Sequence, residues 1–237
     1  MATIFIPKKY CGPPDSGNGG YTCGLLSAAL KGPSEVTLRM PIPIEKIMRI
    51  DFVDPKHAHL KSGDDLVAEG VRFELEPTSA PTVNFEQAQE ATDKSPAFVN
   101  HPFPTCFVCG PQRAVGDGLR IFPGPLSTAD ASLENLFAAP WVPDASLADA
   151  KGKIPDEIVW AALDCPTGFA GGFPYEGKLV TGRLGAKLVS PVQAGEKCVL
   201  VSWRLGVEGR KHHAAAVLLG GDGEVRAQAK ATWIKLS

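Results

Sequence analysis

Long apolar runs are missing from this 237-residue chain, and none approaches the ~18 residues that a membrane-spanning helix needs. An excess of one charge is missing too: 24 Lys and Arg against 26 Asp and Glu leave a net charge of −2. A protein that coats nucleic acid needs a basic surface, so no nucleic-acid partner is expected. Nucleotide signatures are also missing. Gly17-Asn18-Gly19-Gly20-Tyr21-Thr22 breaks the Gly-x-Gly-x-x-Gly pattern at its last position, and there is no Walker lysine. No Gly-x-Ser-x-Gly occurs, which argues against an α/β-hydrolase esterase. Aromatic residues are few, at 8%, but a chain that is 44% apolar and 21% charged is not a disordered one. Lys8 and Lys9 follow the short apolar stretch at the N-terminus, the reverse of the order in a secretory signal. The six cysteines are spread over more than 180 positions of a chain long enough to form a core. Free thiols in a reducing, cytoplasmic setting are therefore expected.

What is present reads as two halves, 1–76 and 106–237, joined by a Pro-rich and polar linker at 77–105 with a short helix at 85–91. In the second half, strands are predicted at 118–122 and 131–141 and a helix at 154–170. Pro155 suits a first helical position, and Asp156 and Glu157 complement the helix dipole in the first turn. Residues 158–163 are all apolar, the mark of a buried helix. Four strand-like runs follow at 178–189, 197–205, 212–219 and 225–236, separated by glycine turns and read as an antiparallel meander. The first half repeats part of this order: a small-residue-rich helix at 19–30, then strands at 36–44, 47–53 and 66–75. Residues 20–27 align with 157–164, so an internal duplication in the α+β class is predicted.

Cys106-Phe107-Val108-Cys109-Gly110 with Gly118-Leu119, the helix segment 159–170 containing Leu163-Asp164, and the closing strand 227–236 resemble the hotdog superfamily, in which a sheet wraps a central helix. The helix start at Gly17–Tyr21 resembles the first half of double-hotdog acyl-CoA thioesterases. The resemblance implies a double hotdog, two antiparallel sheets around central helices related by a pseudo-two-fold, with strands of the two units able to pair into one continuous sheet. It implies a thioesterase-like hydrolase acting on an acyl thioester, of coenzyme A type; such a protein could also pair into a homodimer through sheet edges, though the sequence gives no interface. Such enzymes also carry a hydroxyl residue and a Gln on neighbouring strands. Those places fall near Gly185 and Ala231, with Thr167, Thr181 and Gln228 as nearby candidates. The imperfect match keeps open a second reading, a non-catalytic protein that binds an acyl group or another small molecule.

Asp164 follows six apolar residues, and a buried carboxylate needs a reason. Either it caps the turn at Pro166 through the amide of Thr167, or, as the resemblance implies, it orients water against a thioester carbonyl. Glu157 is the alternative acid. Backbone amides at a helix start can polarise a carbonyl oxygen. The second helix has Asp156 and Glu157 there, whereas the first has Gly19 and Gly20, flanked by Asn18 and Tyr21. These four, with Trp160 and Arg183, are the predicted substrate contacts; Arg183 would hold coenzyme A phosphates if it is not simply surface charge, and Trp160 is otherwise core. No metal and no cofactor is expected. Cys106 and Cys109 supply only two of the four ligands of a tetrahedral site and no second pair has matching spacing; although His101 is close in sequence, a lone Cys pair reads as a packed turn.

Overall fold

The computed structural model describes residues 2–76, 81–127 and 133–236. In chain order the main elements are β1 (Ala2–Phe5), α1 (Gly19–Leu30), β2 (Ser34–Leu38), β3 (Ile47–Asp54), β4 (His57–Ser62), β5 (Asp65–Arg72), α2 (Phe85–Thr92), β6 (Gly124–Pro125), β7 (Glu134–Trp141), α3 (Asp156–Gly171), β8 (Leu179–Leu188), β9 (Cys198–Glu208), β10 (Lys211–Leu219) and β11 (Val225–Lys235). All strands join one sheet, ordered β1-β3-β4-β5-β2-β8-β11-β10-β9-β7-β6. From the centre outward the order is shared by both sides: the strand after the helix, then the last, the middle and the first strand of a meander, then a strand before the helix, with β6 added beyond β7 on the second side. The duplication inferred from residue order is thus visible in topology.

The expectation of two sheets is corrected. β2 and β8 pair antiparallel, Ser34 opposite Ala186 and Thr37 opposite Arg183, and this seam fuses the halves. Pairing the two seam strands leaves neither with an open edge. The four-stranded meander is also corrected: β9, β10 and β11 form one, but β8 crosses to pair with β11. Three short strands, β1, β4 and β6, have no sequence prediction. The strand predicted at 118–122 is a loop tied down by Leu119 N–H to Phe107 O and Ile121 N–H to Val108 O. Part of the strand predicted at 131–141 lies outside the described residues, and the rest is β7.

Helices α1 and α3 lie on one face of the sheet and run past each other in opposite directions, nearly backbone to backbone. A Cβ added to Gly20 would stand 2.7 Å from Trp160 O, and one on Gly24 2.6 Å from Glu157 Cα. Around them Leu26, Leu30, Leu163 and Phe169 pack on inward strand residues such as Met48, Leu60, Leu184 and Leu200. Pro166 lies inside α3, and the helix ends at Gly172 with φ 120°, a conformation that favours glycine.

The opposite face differs between the halves. In the second, β7 sends Phe137 and Ala139 toward the helices and Leu136 and Ala138 the other way. The latter join Val199, Val201, Trp203 and Val217 under Val83, Ala88 and Ala91 of the linker region. Burial on both faces explains why β10 reads as a continuous apolar run instead of an alternating one. Asn84 and Gln87 form a capping box at the start of α2. In the first half the same face is polar: Arg49 pairs with Asp51 at 2.6 Å and Lys61 approaches Asp51 at 3.8 Å. Among the described residues no helix is long and apolar enough to cross a membrane.

Candidate active site at the seam of the two halves

Asp164 is 1% exposed. Its carboxylate accepts two hydrogen bonds from outside its own helix: Gly20 N–H donates to Oδ2 at 2.8 Å, and the Thr181 hydroxyl to Oδ1 at 2.9 Å. Glycine makes both approaches possible. A Cβ at Gly20 would lie 2.5 Å from Asp164 Cβ, and one at Gly19 2.6 Å from Thr181 Oγ1. The carboxylate therefore faces the positive end of α1, the terminus contributed by the other half. Burial pushes the Asp164 carboxyl up to about 7, opposed by the Gly20 amide and the Thr181 hydroxyl. The turn-capping alternative is not what the side chain does. Instead, the Thr167 hydroxyl donates to the Asp164 backbone oxygen at 2.6 Å and accepts from Trp233 Nε1 at 2.8 Å.

Asp164 borders a cavity of about 540 Å³. Asn18, Gly19 and Thr181 line it beside the acid. Most of the remaining wall is apolar, including Met40, Ile42, Phe103, Phe169, Phe173 and Trp233. Both halves and the segment joining them contribute. The start of α1 is held by Asn18, whose side chain accepts from Tyr21 N–H at 2.9 Å.

The structure thus gathers Asp164, Asn18, Gly19 and Gly20 in one place. The other predicted site residues do not line the cavity. Glu157 packs against Gly24 of α1, away from the acid. Thr167 is buried behind Asp164 in its link to Trp233. Tyr21 stacks on Tyr10, ring centroids 4.1 Å apart and 4° from parallel. Trp160 is a core residue at the helix–helix contact. Arg183 sits on the outer side of the seam, its Nε donating to Thr37 Oγ1 at 3.1 Å and its guanidinium 3.4 Å from Glu35. Thr181, only one of several hydroxyl candidates in the sequence, is the hydroxyl that reaches the acid. Gln228 pairs with Lys187 across β11 and β8, five positions along β11 from Trp233, the residue opposite Thr181. The sequence pattern also gives no hint that Cys165, beside Asp164, meets Cys106 and Cys109, whose three sulfurs lie within 4.8 Å of one another on the cavity wall.

No protein-family model and no curated protein matches the chain. Solved structures do. A conserved protein of unknown function with a hot dog fold from Alicyclobacillus acidocaldarius superposes with a TM-score of 0.60 at 11% identity, covering 99% of this chain and 92% of its own. The chain has the hot dog fold. Two further structures of similar shape are a candidate thioesterase from Novosphingobium aromaticivorans (TM-score 0.61, 11% identity, 99% and 95% of the two chains) and the tesB protein of Mycobacterium avium subsp. paratuberculosis (0.60, 12%, 99% and 92%). At such identities the likeness speaks for the fold, and the chemistry must be argued from the site. In this hot dog protein the acid of one unit meets the helix start of the other.

Proposed function

We propose that the protein is a thioesterase-type hydrolase acting on an acyl thioester, with coenzyme A as the thiol. One observation carries the reading: a buried carboxylate, fixed by Gly20 N–H and Thr181, at the polar end of a largely apolar cavity. Two donors on separate oxygens lock the carboxylate and leave each oxygen a lone pair for a water. The apolar wall suits the acyl chain, which leaves its carbonyl at the polar end. There Gly20 N–H is engaged by Asp164 and Tyr21 N–H by Asn18. The Gly19 N–H, at the first helical position, is the donor left to meet the carbonyl oxygen. Asp164 accepts a proton as water adds to the carbonyl carbon. The tetrahedral adduct collapses, the C–S bond breaks, and the sulfur takes the proton, giving a carboxylic acid and a free thiol. The candidate thioesterase and the tesB protein among the structural neighbours agree with this reading.

The test is thiol release from a panel of acyl-CoA esters by wild type and Asp164→Asn. Positioned acid–base groups contribute about 10²–10⁴-fold, and a loss of that size in kcat with KM little changed is expected. Equal rates would remove Asp164 from the mechanism. A specific observation favours the rival reading, a binder without turnover: Trp233 and not a carboxamide stands opposite Thr181. Tight acyl binding by wild type with no thiol released would decide for it.

A further inference from the structure

The three thiols beside Asp164 come from two distant pieces of chain. Cys106 and Cys109 lie on a turn that follows the linker, and Cys165 lies on α3. All six cysteines are free and buried, yet among the described residues Cys11, Cys23 and Cys198 join no such group. The turn has a specific shape. Gly110 N–H donates back to Cys106 O at 2.9 Å, and a Cβ at Gly110 would meet Cys106 O at 2.5 Å and Pro104 O at 2.6 Å, so only glycine closes it. Asn18 Nδ2 lies 3.9 Å from Cys106 Sγ.

The spacing fits a metal. With metal–sulfur bonds of about 2.3 Å, the edge of a tetrahedron of thiolates is about 3.8 Å. Cys106 Sγ and Cys165 Sγ are 3.7 Å apart, and all three sulfurs lie within 4.8 Å of one another. His101 Nε2 lies 3.2 Å from Cys109 Sγ but outside the group formed by the three sulfurs. We propose that Cys106, Cys109 and Cys165 hold a zinc-type divalent ion, its fourth position open to solvent or to His101 Nε2 once that ring shifts. This departs from the reading of Cys106 and Cys109 as an isolated pair, because the third ligand is brought in by the fold, 56 residues after Cys109. Binding exchanges the three thiol protons for the metal and releases them to solvent. For His101 to join, its ring proton must sit on Nδ1, which now accepts from Phe103 N–H at 3.0 Å, so that amide has to let go. The ion would pin the turn to α3 and so fix the cavity wall next to Asp164.

The experiment is metal analysis of the full chain purified under reducing, chelator-free conditions, followed by Zn²⁺ or Co²⁺ titration of the reduced, metal-stripped protein. About one ion per chain is expected, with thiolate-to-cobalt charge-transfer bands in the Co²⁺ form. Cys109→Ser and Cys165→Ser should fall to background, while Cys198→Ala, at a thiol on β9 outside the group, keeps its metal. Far-UV circular dichroism establishes that each variant is folded. Because the titration uses wild-type protein, it stands even if a serine variant does not fold. Reduced wild type that takes up neither ion, or Cys165→Ser that retains a full equivalent, overturns the proposal.

Discussion

Helices α1 and α3 hold the same place in the two halves, and a comparison of their residues shows how a duplicated fold keeps one site. The ninth residue of α1 is Ser27 and the ninth of α3 is Asp164. Each links its helix to the strand that follows. The Ser34 hydroxyl donates to Ser27 Oγ at 2.7 Å, just as the Thr181 hydroxyl donates to Asp164. The helix starts differ in the complementary way. Asp164 meets Gly19-Gly20, while the start of α3 offers Asp156-Glu157. A carboxylate in place of Ser27 would meet acids where Asp164 meets bare amides. The pair of halves thus has one carboxylate, aimed at the one glycine helix start.

Gly20 is where this contrast can be broken most severely. A methyl there meets Asp164 Cβ, Trp160 O and Ala161 Cα at 2.5, 2.7 and 2.9 Å, and two of these belong to backbone that cannot swing aside. Gly20→Ala must push the helices apart, at an overpacking cost of about 1–3 kcal/mol or more, and it misplaces the amide that holds the acid. Thermal unfolding should show a clear drop in Tm, and thiol release should fall at least as far as for Asp164→Asn. Glu157→Ala, at the matching position of α3, should leave turnover within a few-fold of wild type. A Gly20→Ala protein with wild-type Tm and turnover would mean that the helices are not in this contact.

Ser27→Ala gives the next largest effect, and on stability alone. It strands the Ser34 hydroxyl, which is 0% exposed, and an unpaired buried hydroxyl costs about 1–3 kcal/mol. Turnover per folded molecule should not change, whereas Asp164→Asn should lose turnover. Denaturant unfolding and steady-state rates on the same preparations separate the two. Reduced kcat in Ser27→Ala would show that the two sites still communicate.

The order of helices and strands was legible because each half is punctuated by Gly and Pro and the second helix carries the unbroken apolar run 158–163, and Asp164 stood out against those six apolar neighbours. β4 was not legible, since His57, His59 and Lys61 alternate with Ala58 and Leu60 in a run too short and polar to register as a strand. The segment read as a linker hid a structural role: Val83, Ala88 and Ala91 are too sparse to announce a packing face, yet they cover the apolar outer side of β7, β9 and β10. Site residues carried by long-range contacts were the hardest. Glu157 and Arg183 have suitable chemistry but point elsewhere, because helix rotation and strand register decide where a side chain goes. Thr181 and the meeting of Cys165 with Cys106 depend on contacts across 17 and 59 residues. Periodicity carries no information about either.

The smallest expected effect tests whether the second helix start is truly idle. Asn18 caps α1 with a buried side chain, whereas Pro155 at the start of α3 makes no side-chain cap. The nearest charge there is Asp156, 2.7 Å from Lys153, with the two side chains 50% and 40% exposed. Exposed pairs of this kind contribute about 0–1 kcal/mol, and an acid in a first helical turn adds a few tenths more at low salt. Asp156→Asn should therefore shift stability by less than about 1 kcal/mol, the shift should shrink as salt is raised, and turnover should be unchanged. Chemical denaturation at low and high salt, with rates measured alongside, reads all three. A salt-independent loss of turnover in Asp156→Asn would place the second helix start in the reaction, and the asymmetry between the halves would then lie in substrate choice instead of in the presence or absence of a site.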